Sequence, residues 1–176
     1  MTDYPQQLVQ SHRLRDGADV VIRPIRPEDA EIEQAFVREL SDDSRYNRFM
    51  GQLRELPSRK LEYLTEIDYD WHMALIATVQ RDGREVEIGV ARYVVAPEND
   101  GSCEFAVAVG DAWQGTGVAD LLMQDLMAAA RSRGLKKMIG FVLPTNHRML
   151  KFCYRLGFES HHELGDGDNV SVFKIL

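Results

Sequence analysis

The chain has 176 residues, 44% of them hydrophobic and 28% charged, with a formal net charge of −7; that is the size and composition of one globular domain with a substantial core. No apolar run approaches membrane-spanning length and no basic segment leads into an apolar one at the N-terminus, so the cytoplasm is the default and no membrane partner is expected. The acidic balance argues against nucleic acid as the main partner; it suits a cationic substrate drawn by long-range steering, or solubility alone.

Residues 1–17 read as a loosely attached arm closing on the turn Asp16-Gly17, and 18–176 as a single domain. Asp19 to Ile25 alternates as a first strand, stopped by Pro24 and Pro27. Pro27-Glu28-Asp29 opens a helix whose apolar stripe is Ile32, Ala35, Phe36 and Leu40. Ser41-Asp42-Asp43-Ser44 caps a second helical segment to about Met50, and Pro57 starts a third, ending near Asp68 with Leu61 and Leu64 buried. His72 to Val79 and Glu85 to Ala96 are strands around the hairpin turn Arg81-Asp82-Gly83-Arg84; Cys103 to Val109 is the next. A long helix then closes on Arg131, Arg133 and Gly134. Met138 to Leu143 is a strand, Asn146 to Leu156 a helix with Gly157 at its end. Strands at about Phe158–Leu164 and Val170–Leu176 flank the polar turn Gly165-Asp166-Gly167-Asp168. This order describes a mixed sheet with helices on its faces, an α+β fold.

The informative stretch runs from Glu104 to Ala130. Phe105, Val107 and Val109 alternate as a strand; Gln114-Gly115-Thr116-Gly117-Val118-Ala119 is a turn; Val118, Leu121, Leu122, Leu126, Ala129 and Ala130 then recur at helical spacing. Strand, glycine turn and helix start make an anion site, because unpaired amides and the helix dipole both favour negative charge there. A phosphate-bearing ligand is expected. It is not held by a P-loop, since no Gly-Lys-Ser/Thr follows. A dinucleotide fingerprint is weak, because Asp120 stands where a third glycine is wanted.

With Gln114-x-x-Gly117-x-Ala119 at the strand–helix junction, then Asn146 and Met149 on a helix ending Leu156-Gly157-Phe158, the chain resembles the GNAT superfamily of acyl-CoA-dependent N-acetyltransferases. The segments Ile22-Arg23-Pro24-Ile25-Arg26-Pro27-Glu28-Asp29, Asp68-Tyr69-Asp70 and Glu104-Phe105-Ala106-Val107 look like the bacterial Pat-type protein lysine acetyltransferases in particular. The resemblance implies a three-layer α/β/α fold whose largely antiparallel sheet splays between the Cys103–Val109 and Met138–Leu143 strands. Acetyl-CoA would be the co-substrate, lying in that splay. Its pyrophosphate would meet the amides of Gln114, Gly115, Thr116, Gly117, Val118 and Ala119; its pantetheine arm would pair with the backbone of Val107, Ala108 and Val109, with Asn146 donating to it. An amide near Val107 could polarise the thioester carbonyl.

The same resemblance makes Glu104 the expected general base, a carboxylate shielded in the splay that takes a proton from the attacking amine. The bland alternative is a residue on a strand's wet face. Many GNAT enzymes use a tyrosine seven residues after the asparagine to protonate the thiolate; here Cys153 stands there, with Tyr154 beside it. Cys153, water or no dedicated acid all stay open. Cys103 and Cys153 are too few for a disulfide framework and read as free thiols. No metal is expected: His161 and His162 face opposite ways on a strand and no third ligand is evident. His72 and the acidic group Glu66, Asp68 and Asp70 read as structural or solvated. The acceptor is expected to be a protein lysine, or alternatively a small amine such as a polyamine, amino acid or antibiotic. A non-catalytic acyl-CoA sensor would keep the glycine turn without needing Glu104. No feature of the sequence speaks to oligomeric state.

Overall fold

The computed structural model describes residues 3–161 and 169–176. Among the described residues eight strands form one sheet: β1 (Gln10–Arg13), β2 (Asp19–Pro24), β3 (His72–Arg81), β4 (Arg84–Val95), β5 (Ser102–Val109), β6 (Lys137–Val142), β7 (Glu159–His161) and β8 (Val170–Ile175). Their spatial order is β1-β2-β3-β4-β5-β6-β8-β7. Every neighbouring pair is antiparallel except β5 and β6. The expected α+β class, a mixed and largely antiparallel sheet with helices on both faces, is what the chain forms.

Side-chain alternation sorts the two faces. Phe105, Val107 and Val109 of β5 join one cluster with Ala91 and Tyr93 of β4; Ala108 packs with Val90, Ala74 and Ile76 on the other side. The first face is covered by α4 (Val118–Ser132), whose Leu122, Met123 and Leu126 are fully buried at helical spacing, and by α5 (His147–Arg155) through Cys153 and its neighbours. Each such side chain contributes about 1.5–3 kcal/mol. The second face is covered by α1 (Ala30–Glu39), through Phe36 and Val37, and by α3 (Ser58–Thr65), through Leu64.

The helix α2 (Asp42–Phe49) has no fully buried residue and is held by polar ties. Arg45 donates to the carbonyls of Arg38 (2.9 Å) and Leu40 (2.6 Å), closing the end of α1. The proline-rich lead into α1 is organised by a buried ion pair. Arg23 donates twice to Asp29 (2.7 Å each) and twice to Glu85 (2.9 and 2.7 Å), and Asp29 also accepts from the Arg26 amide. Burial alone would lower the pKa of Arg23, but these contacts outweigh it and hold it above its ordinary value.

The β3–β4 hairpin turns on Asp82-Gly83, both at positive φ (52° and 75°), as a two-residue turn with the twist of its strands demands. The segment expected to be a loose arm is instead part of the sheet: Gln10–Arg13 pairs with Asp19–Ile22, and Leu14 is buried in the core. Its Tyr4 donates to the Pro24 carbonyl at 2.9 Å. Of the strand expected at Phe158–Leu164, Glu159–His161 is observed; residues 162–168, with His162 and the Gly165–Asp168 turn, lie outside the described residues.

Candidate active site

β5 and β6 pair over three positions only: Ser102 with Lys137, Cys103 with Met138 and Glu104 with Ile139. Beyond Glu104, β5 runs on to Val109 and β6 to Val142 without pairing, so the strands part and one backbone edge of β5 is left open. The first residues past the last pair are Phe105 and Gly140. The Phe105 ring lies against Gly140 so closely that a Cβ there would stand 2.4 Å from it. Only glycine fits.

An open cleft of about 1050 Å³ fills the divergence, lined by β5 from Glu104 to Val109, the glycine turn and Asn146. Gly115 (φ 78°) and Gly117 (φ 96°) take the left-handed conformation that ends the turn. Among the described residues, the amides of Gly115, Gly117, Val118 and Ala119 find no acceptor, as expected at a helix start. The Val118 side chain is fully buried and lies in the core, so only its backbone belongs to the site.

Gln114 and Thr116 are used to brace this turn. Gln114 Nε2 donates to the Val109 carbonyl (3.1 Å), and its Oε1 accepts from Arg148 (2.5 Å). Thr116 Oγ1 donates to the Trp113 carbonyl (2.5 Å). Asn146 caps α5, its Oδ1 accepting from the Met149 amide (3.2 Å), while the residue still lines the cleft. A cap of this kind leaves the Asn146 NH₂ free to donate.

Glu104, Val107, Ala108, Val109, Gln114, Gly115, Thr116, Gly117, Ala119 and Asn146 are thus brought to one cleft. Glu104 is exposed there, where the sequence reading has it shielded from water. Cys153 is buried in the core and absent from the lining, and burial pushes its thiol up to about 11. Tyr154 is half exposed and likewise outside the lining. Among the described residues no cluster of His, Cys, Asp or Glu has the makings of a metal site.

Several residues of consequence carry no local signal. Asp111 binds α2 to the glycine turn, accepting from the Ser41 amide (2.9 Å), Ser41 Oγ (2.8 Å) and Ser44 Oγ (2.8 Å). Behind the cleft lies a buried charge network. Arg92 donates to Glu33 (3.3 Å), the Leu64 carbonyl (3.0 Å) and His72 Nε2 (3.1 Å). Burial, then Glu33, hold the Glu87 carboxyl well above the usual range. Glu33 was findable: with Phe36, Val37 and Leu40 it falls at i, i+3, i+4 and i+7, on the buried stripe of α1. Asp68 serves the start of β3, its Oδ1 accepting from the amides of Asp70, Trp71 and His72.

A strand pair that opens beside a helix start with free amides can hold an extended ligand carrying phosphates. A model described as an acetyltransferase (GNAT) domain matches residues 19–159. The chain belongs to the GNAT acetyltransferase family. It is 38% identical over 157 residues to an acetyltransferase of Pseudomonas aeruginosa, covering 89% of this chain and 84% of that protein. The acetyltransferase Pat of Mycolicibacterium smegmatis is 34% identical over 145 residues, 82% of this chain, and the match spans 43% of that relative's length. Among solved structures, the GNAT domain of S. lividans PAT superposes with a TM-score of 0.90 at 31% identity, covering 99% of this chain and all of that one. A cAMP-binding acyltransferase from Mycobacterium smegmatis gives a TM-score of 0.64 at 29% identity, covering 96% of this chain and 48% of that one. As a GNAT protein the chain is an acyltransferase, and its Pat-like resemblance extends through the whole fold.

Proposed function

We propose that this GNAT chain transfers an acetyl group from acetyl-CoA to a primary amine, with protein lysine side chains as the leading acceptor and Glu104 as general base. One observation carries the reading: β5 and β6 separate at Glu104, and the resulting cleft runs to the free amides at the start of α4. The residues present fit the co-substrate. Gly115 and Gly117 admit close approach of a phosphate, and the open edge of β5 at Val107 and Ala108 offers backbone groups to an extended arm. The Val109 carbonyl is shared with Gln114, which places that end of the edge under the control of the turn.

The chemistry follows from the residues. A lysine amine has an ordinary pKa near 10.4 and must shed a proton before it attacks. Glu104, at the last paired position before the opening, takes that proton; the neutral amine then forms the C–N bond as the C–S bond breaks, and the second proton lost by the nitrogen passes to water. With Cys153 buried and Tyr154 outside the cleft, water protonates the departing thiolate. The preference for lysine in a protein follows from the likeness to the Pat-type acetyltransferases.

The test is acetyl transfer to lysine peptides, whole proteins and small amines by wild type and Glu104→Gln. A positioned base contributes about 10²–10⁴-fold, so the variant should lose that much kcat while binding acetyl-CoA unchanged. Full kcat in Glu104→Gln removes Glu104 from the mechanism. Tight acetyl-CoA binding without transfer to any amine makes the chain a sensor rather than an enzyme.

A further inference from the structure

Among the described residues, the acidity of the chain does not extend into its cleft: six cations line it (Arg15, Arg48, Lys60, Arg148, Lys151 and Arg155) against the carboxylates of Glu104 and Asp120. Near the glycine turn, Arg148 is tied to Gln114 and Arg155 to Asp120. The opposite wall is different. Arg48 and Lys60, from α2 and α3, both lie on the Phe49 ring, 4.8 and 5.4 Å from its centre.

Among the described residues neither cation has a carboxylate oxygen within 4 Å, and Arg48 donates no hydrogen bond. Its neighbour Arg92 is already committed to Glu33, the Leu64 carbonyl and His72. Arg48 is half-buried. Burial and Arg92 push its pKa down to about 10, against the pull of Glu33 and Glu104, so it stays charged at neutral pH. A half-buried guanidinium with no protein acceptor is open to a ligand in the cleft, and its planar fork matches a carboxylate.

The place of Arg48 identifies what the anion belongs to. Glu104 alternates with Phe105 and so is turned, like Ala106 and Ala108, toward the α1–α3 layer that carries Arg48 and Lys60. That is the side on which a base at Glu104 meets its amine. We propose that the acceptor carries a carboxylate beside its reacting amine and that Arg48, assisted by Lys60, binds it. The inference rests on acetyl transfer at Glu104 and names the acceptor class for that site. The carboxylate is the α-carboxylate of a free amino acid or an Asp or Glu side chain flanking a lysine. A bare polyamine, which meets two cations for one carboxylate, is the poorest acceptor.

The experiment measures kcat/KM on matched pairs: free lysine against lysine amide, and single-lysine peptides flanked by Glu against the same peptides flanked by Gln, with spermidine alongside. Wild type should favour the carboxylate member of at least one pair by about tenfold to a hundredfold, mainly through KM, as a hydrogen bond to a charged group implies. The pair that discriminates identifies the source. Arg48→Gln should abolish the preference, Arg48→Lys restore part of it and Arg48→Glu reverse it, while the acetyl-CoA dissociation constant stays unchanged in all three. Equal kcat/KM across both pairs in wild type overturns the inference whatever the variants do, and so does a preference that survives Arg48→Gln. Transfer without discrimination thus sinks this inference alone; acetyl-CoA binding with no transfer to any amine sinks the acetyl-transfer reading and this one together.

Discussion

His72 offers a quantitative test of the charge network behind the cleft. The residue is 7% exposed, its ring centred 5.1 Å from that of Tyr63 and tilted 36° to it, and its Nε2 faces a guanidinium nitrogen of Arg92 at 3.1 Å. A guanidinium only donates, so Nε2 must present its lone pair and the ring is the neutral Nδ1–H tautomer. Burial first, then Arg92, pull its pKa down from 6.5 to about 4, with Asp68 opposing. Above pH 6.5 folded and unfolded forms are both neutral, and the native contact contributes in full. As pH falls toward 4 the unfolded chain takes up a proton that the native ring refuses, so stability is lost. The interval from 6.5 to about 4 corresponds to about 3 kcal/mol, a large share of the 5–15 kcal/mol typical of a domain. Urea unfolding at pH 7.5 and 4.5, for wild type and His72→Gln, isolates this part, because glutamine can still accept from Arg92 but does not titrate. The variant should lose about 2–3 kcal/mol less than wild type between the two pH values. Parallel losses, or an NMR titration of the His72 ring with a midpoint near 6.5, would refute the reasoning.

Two further substitutions separate binding from folding. Gly117→Ala introduces a Cβ that meets no atom within 4 Å, so its effect comes from the backbone at φ 96° alone. About 1–2 kcal/mol of strain follows, read as a Tm lower by a few degrees and, where the turn shifts to relieve it, as acetyl-CoA affinity weaker by about tenfold in calorimetry. Asp29→Ala leaves Arg23 buried with Glu85 as its remaining carboxylate and should lower unfolding free energy by about 3 kcal/mol in urea, near the low end for a broken buried pair, with acetyl-CoA affinity per folded molecule unchanged.

What was legible in the sequence was what is local. The alternation of Phe105, Val107 and Val109, the two glycines and the helical stripe after Val118 each declare themselves within a few residues, and the glycine turn and cleft wall came from them. β1 escaped because Gln10-Ser11-His12-Arg13 has no apolar alternation; it is an edge strand made by backbone pairing with β2, a contact that composition does not encode. Arg48 escaped for a related reason. The run from Asp42 to Phe49 is polar, and Arg48 is brought to the cleft because α2 lies across β5. The net charge of −7 is silent about place in the same way, since a sum over 176 residues cannot say that six of the cations line one cleft.

The two walls of that cleft are not independent, and Asp111 is the reason. Its carboxyl lies below the usual range: burial pushes it up, but the amide of Ser41 and the hydroxyls of Ser41 and Ser44 outweigh that. The helix they belong to buries no side chain fully, so its place over β5 depends on these ties and on Arg45 rather than on a hydrophobic anchor. Asp111 opens the segment that leads to Gln114 and the glycines, and Gln114 in turn reaches Ser44 Oγ at 3.4 Å. The turn whose amides are proposed to meet a phosphate is therefore hydrogen-bonded to the helix that carries Arg48 and Phe49. Strain introduced at Gly117 has a physical route to that wall, and an ordered turn holds both halves of the site in one geometry.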